Sequence, residues 1–167
     1  MKKLHLVLLL VVTLTTAKAQ IEKKTVYLGA TSNLSLLGVT TGPNSSSTTY
    51  FNISPQVGYF FADNFLLGAN LSFSSNAGIN QTTIGLFTRY YIKGKVFLGG
   101  GYSSSSFSGG NSLGLFNLEG GYAAFITPNI AVEPALVFTK GMGDATNYTT
   151  FGLRVGFSLY INRKKVE

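Results

Sequence analysis

Apolar and polar residues alternate one by one along most of this chain, and the alternation recurs in block after block of about ten residues. A period of two is the spacing of a β-strand, whose successive side chains point to opposite faces. The last block is the clearest. From about 148 to 162, Phe151, Leu153, Val155, Phe157, Leu159 and Ile161 alternate with Thr150, Gly152, Arg154, Gly156, Ser158 and Tyr160. Seven earlier blocks repeat the scheme, near 25–36, 49–61, 65–74, 82–93, 95–105, 116–126 and 130–139. In the first, Val26, Leu28 and Ala30 face away from Tyr27, Gly29 and Thr31; in the fourth, Ile84, Leu86, Tyr90 and Ile92 oppose Thr83, Gly85, Phe87, Arg89 and Tyr91. The fifth is the least regular, because Gly99-Gly100-Gly101 and a run of serines blur it, although Val96, Leu98 and Tyr102 share a face. Each block therefore predicts a strand with one apolar face and one polar or small face.

The connections separate a barrel in a membrane from a sandwich in water. Longer polar stretches near 38–48, 75–81, 105–112 and 140–147 alternate with brief ones near 62–64, 93–95 and 127–129. Short turns on one side and long loops on the other are the habit of outer-membrane barrels. An even number of strands closes the sheet and leaves no unpaired edge, which lipid requires. The predicted fold is all-β, an eight-stranded antiparallel up-and-down transmembrane β-barrel. Tyr50, Phe51, Tyr59, Phe60, Phe61, Phe65, Phe73, Tyr90, Tyr91 and Phe125 gather toward predicted strand ends, which points to aromatic girdles at the two interfaces.

The N-terminus adds an address. Met1, Lys2 and Lys3 precede a short apolar run from Leu4 to Leu14, then Thr15-Thr16-Ala17-Lys18-Ala19-Gln20. This is the pattern of a secretory signal peptide cleaved after Ala19, and its apolar centre is too short for the roughly 20 residues of a spanning helix. The expected organisation is a leader over 1–19 and a barrel over 20–167. The sequence holds no cysteine, so disulfides, thiolate metal sites and a cysteine-linked lipid anchor are excluded.

The formal charge of +7 raises the question of nucleic acid, but its distribution answers it. Lys2, Lys3 and Lys18 leave with the leader. Lys23, Lys24, Lys93, Lys95, Arg163, Lys164 and Lys165 fall on the predicted short-turn rim, offset by Glu22, Asp63 and Glu167, which reads as a solvated rim near lipid headgroups. No basic stripe with stacking aromatics remains, so no nucleic-acid partner is expected. The only histidine, His5, lies in the leader, so neither histidine nor cysteine chemistry survives in the mature chain. Glu119 and Glu133 both face the predicted lumen, where nearby arginines are expected to hold them ionised, and the glycine clusters lack the setting of a phosphate loop. No catalytic, cofactor or metal site is expected, and the protein reads as non-enzymatic.

Four charges stand on the inward face: Arg89, Glu119, Glu133 and Arg154. Counted from the short turns, Arg89 and Glu133 lie at one height and Glu119 and Arg154 at another, deeper one. The interior of an eight-stranded barrel is only wide enough for side chains to fill, and a buried charge is tolerable only when matched. An internal salt-bridge network that plugs the lumen is predicted.

The run Val57-Gly58-Tyr59-Phe60-Phe61-Ala62-Asp63-Asn64-Phe65-Leu66-Leu67-Gly68, with the leader and the eight alternating blocks, resembles the small outer-membrane β-barrel family of Bacteroidetes and Proteobacteria. The resemblance covers the whole mature chain. It implies residence in the outer membrane of a Gram-negative cell, with both termini and the short turns in the periplasm, contact with membrane lipid, and a monomer. Arg154, Gly156, Leu159 and Ile161 resemble the terminal-strand signal read by the barrel assembly machinery. A surface or structural role fits best. The alternatives are a narrow, porin-like channel for small solutes and a soluble periplasmic barrel that binds a ligand, although the latter leaves the apolar face of the last strand uncovered.

Overall fold

The computed structural model describes residues 21–41, 52–76, 79–107, 112–143 and 148–162; the predicted leader lies outside them. Strand formation follows the alternation. Nine strand segments occur among the described residues: β1 Val26–Thr41, β2 Asn52–Ala62, β3 Phe65–Asn76, β4 Ile79–Ile92, β5 Val96–Phe107, β6 Ser112–Tyr122, β7 Ala124–Phe125, β8 Ile130–Met142 and β9 Thr149–Ile161. β6 and β7 are two parts of one crossing, interrupted at Ala123, so the segments make eight crossings. Every neighbour pairs antiparallel, β1 pairs β9, and β6 pairs β8. The ring is closed. Closure satisfies the backbone hydrogen bonds of every crossing within the sheet, with no edge left over.

Two connections show how local chemistry sets the turns. Lys93 and Gly94, between β4 and β5, both have positive φ (52° and 63°), the conformation that lets a tight hairpin follow the natural twist of its strands. Between β2 and β3, Asn64 takes φ 62°, a value that asparagine tolerates better than most residues. The described strands are longer than the alternation alone predicts. The connection expected over 75–81 is mostly strand: Ser75 pairs Asn80 and Asn76 pairs Ile79. Polar residues there carry the ladder past the apolar zone, because pairing in water needs no greasy face. β1 likewise continues to Thr41, stepping out of register with β9 between Leu34 and Val39.

The barrel is inside-out. Among the described residues, 29 large apolar or aromatic side chains are exposed and only 11 hydrophobic residues are buried. The exposed set includes Ile84, Leu86 and Phe157, each above 60 %, on the outward parity of successive strands. Of the charged side chains on described strands, only Lys140 is exposed on the outer face, next to Phe116 and Thr149 in the ladder. It stands near the long-loop end of β8, where an amine on a flexible stem can reach the polar interface. Tyr59, Phe61, Phe65, Phe73 and Tyr90 point outward as the girdle reading requires. Phe60 and Tyr91 do not: both are wholly buried in the lumen, and Phe125 packs beside them. Parity decides this, since each stands one step from an outward neighbour. Tyr50 and Phe51 lie outside the described residues.

Candidate functional site: the barrel lumen

The lumen is where the polar chemistry collects. The short-turn end is filled by rings: Phe60, Tyr91, Phe97, Phe125 and Tyr160 meet at centroid distances of 5.1–6.3 Å. The segment before β1 caps this floor. Ile21 is fully buried; its amide donates to Asn64 Oδ1 (2.9 Å), and its carbonyl accepts from the Asn64 amide (2.8 Å). The Lys23 amide donates to Asp63 Oδ1 at 2.9 Å. The β2–β3 turn thus ties the chain entry across the mouth.

Immediately above the floor lie the four charges, brought together. Arg89 Nε donates to Glu119 Oε1 at 2.5 Å, and Arg89 Nη1 to Glu133 Oε2 at 3.0 Å. Arg154 Nη2 pairs with Glu119 Oε2. Arg89 is the hub, at 1 % exposure. Its Nη1 also donates to the Tyr27 hydroxyl (2.8 Å) and its Nη2 to Gln56 Oε1 (3.1 Å). Its guanidinium carbon stands 4.8–5.3 Å from the ring centroids of Phe97, Phe87 and Tyr27, a cation–π arrangement. Glu133 is held equally tightly. Oε1 accepts from Ser158 Oγ at 2.7 Å and from the Tyr160 hydroxyl, while Oε2 lies 3.0 Å from the Tyr27 hydroxyl.

Two positive and two negative charges cancel, and each buried member of the hub has hydrogen-bonding company, which is what makes such burial tolerable. Room for the hub comes from glycine. A Cβ at Gly99 would lie 2.9 Å from both Arg89 Cγ and Glu119 Oε1, and one at Gly121 would lie 2.5 Å from the Phe97 ring. Gly99 and Gly101, two of the three glycines that blur the fifth block in sequence, are therefore places where Arg89, Glu119 and Phe87 enter the lumen.

All four charges predicted from parity thus occupy one cluster, with Arg89 bridging both acids. Sequence reasoning missed Tyr27, Gln56, Ser158, Tyr160 and the Ile21 cap. The first four share the inward parity and a height near the short turns, so the signal was present. Of the proposed assembly-signal residues, Arg154 and buried Gly156 face the lumen, whereas Leu159 and Ile161 face outward. Among the described residues, no three His, Cys, Asp or Glu side chains are grouped to hold a metal ion.

Comparison with solved structures bears on the same geometry. Neisserial surface protein A superimposes with a TM-score of 0.56 at 15 % identity, over 81 % of this chain and 95 % of that one. The N-terminal β-barrel domain of Pseudomonas aeruginosa OprF gives 0.54 at 16 % identity, over 82 % and 98 %. This chain has the fold of small outer-membrane barrels. A de novo designed transmembrane β-barrel matches as well, with a TM-score of 0.54 at 10 % identity over 84 % of this chain and 98 % of the design. No family model and no curated protein sequence matches this chain.

Proposed function

We propose that the protein is a non-enzymatic barrel of the outer membrane whose lumen is closed at its periplasmic end, serving as a structural and surface-displaying element. The observation that carries this reading is the inversion of polarity. A continuous outward belt of exposed Phe, Leu, Ile and Val surrounds an interior whose charges are all matched. Water offers no reason to expose such a belt; lipid does. The short turns and both termini face the periplasm, and the longer connections face outward. The last strand, through Arg154, Gly156, Leu159 and Ile161, carries the assembly signal, and the folded barrel is a monomer in contact with lipid.

Closure argues against a solute channel. Arg89, Glu133 and the ring floor span the lumen, so small ions find no continuous aqueous path. The test is conductance in planar bilayers. The wild-type barrel is expected to pass no resolvable single-channel current, and Glu119→Gln is expected to raise it by loosening the cross-lumen pairs. A steady wild-type conductance, or a Glu119→Gln variant indistinguishable from it, would contradict the plug.

A further inference from the structure

The chain does not run straight into β1. Ahead of Val26 it bends through a turn at Glu22–Thr25, where the Glu22 carbonyl accepts from the Thr25 hydroxyl (2.8 Å) and from the Thr25 amide (3.4 Å). Lys24, the third residue of that turn, has φ 72°. Glycine or asparagine suits such a position, so a lysine there is held against its own preference. Contacts beyond the turn must hold the bend.

Two sets of contacts do so. The first is a seat: Ile21 is fully buried and belongs to one apolar cluster with Phe60, Tyr91, Phe97 and Tyr160, rings carried by β2, β4, β5 and β9. The second is a catch on the β2–β3 turn. Asn64 Oδ1 accepts from the Ile21 amide (2.9 Å), the Asn64 amide donates to the Ile21 carbonyl (2.8 Å), and Asp63 Oδ1 accepts from the Lys23 amide (2.9 Å). Seat and catch are both anchored elsewhere. The rings pack on one another, and the Asn64 carbonyl accepts from the Tyr91 amide (2.8 Å).

The ladder begins just past the bend. The Lys24 amide donates to the Phe60 carbonyl (2.8 Å) and the Phe60 amide to the Thr25 carbonyl (3.0 Å). From Val26 to Ser32, β1 pairs with both β2 and β9. Swinging residues 21–23 away therefore breaks the bonds to Asn64 and Asp63 and uncovers Ile21, while the pairing of the barrel survives. A unit with so few ties opens at a lower free energy than the sheet it leans on.

We propose that residues 21–23 are a latch that opens and closes over the ring floor while the barrel stays folded, with Ile21 as its bolt and Asn64 as its catch. Closed, the latch covers the floor; open, it bares the floor to water at the short-turn mouth. Conductance reads the charged plug and amide exchange reads the latch, so either can fail without the other.

The test is amide hydrogen exchange, followed by NMR on the leaderless chain refolded in detergent micelles. The Ile21 and Lys23 amides are expected to exchange about tenfold or more slower than in an unstructured peptide, yet about a hundredfold or more faster than the Phe60 and Tyr91 amides, which stay bonded when the latch is open. Asn64→Gly allows the φ of 62° and removes only the side-chain acceptor. It is expected to speed exchange at Ile21 and Lys23 about tenfold and to leave Tyr91 unchanged. Asn64→Asp restores an acceptor and is expected to return both amides to wild-type rates. Ile21→Ala empties the seat, leaves the catch in place, and is expected to speed the Lys23 amide about tenfold or more. Exchange of Ile21 and Lys23 in step with Tyr91 would mean that the segment opens only when the barrel unfolds, and exchange as fast as in a free peptide that it never closes; either result would overturn the proposal. So would unchanged rates in whichever of Asn64→Gly and Ile21→Ala folds.

Discussion

The two halves of the lumen are built from the same ring of strands and solve opposite problems. The short-turn half is dry: five rings, Arg89 and Glu133 meet across the bore, and most of the inward groups there are at or near zero exposure. The long-loop half carries hydroxyl and amide side chains that bond along the wall, and Leu113 and Leu115 share its inward face with the buried Ser105 and Ser103. The difference teaches that closure in this barrel is local. The cross-lumen bonds belong to one compact cluster centred on Arg89, and mutations should divide by the half in which they fall.

The largest effect is expected from the hub. Arg89→Met leaves Glu133 and Glu119 without their shared partner in a dry site, and breaking a buried pair from one side costs about 3–5 kcal/mol. Urea titration of the barrel in lipid vesicles should show that loss; a change under 1 kcal/mol would mean the cluster is hydrated. Next comes space. Gly99→Val places carbons against Arg89 and Glu119 and should cost about 1–3 kcal/mol, whereas Gly152→Val, where an added Cβ meets nothing within 4 Å, should stay within about 0.5 kcal/mol. Equal costs at the two glycines would erase the distinction between the halves. Tyr160→Phe removes one hydroxyl from Glu133 and should destabilise by about 1–2 kcal/mol. Smallest of all, Thr139→Val, which loses a wall bond to a half-exposed Asn117, is expected to cost about 0.5 kcal/mol, and a larger loss would place Thr139 in a packed site.

Much of this architecture is legible in the sequence because lipid outside and polar groups inside impose a strict parity, and Phe151 through Ile161 display it over six alternations. The same parity delivered Arg89, Glu119, Glu133 and Arg154. It could not deliver Tyr27 or Gln56 as their partners, since contacts across a tilted barrel depend on stagger between strands that are not adjacent. Parity also explains why Phe60 and Tyr91 were misassigned: strand-end position marks a girdle only for outward residues. Residues 75–81 read as a loop in the sequence although Ser75 pairs Asn80 and Asn76 pairs Ile79, because polarity without alternation looks the same in a paired strand end. Ile21 lay before the first alternating block, where no periodicity exists to place it.

The central claim is that this is a closed barrel made for lipid, and heat modifiability tests it most directly. The leaderless chain is refolded into detergent or lipid vesicles, and its gel mobility is compared with and without boiling while circular dichroism is recorded. The account predicts a β-rich spectrum and a faster-migrating unboiled band that reverts on boiling. A folded monomer fully soluble without detergent would contradict it.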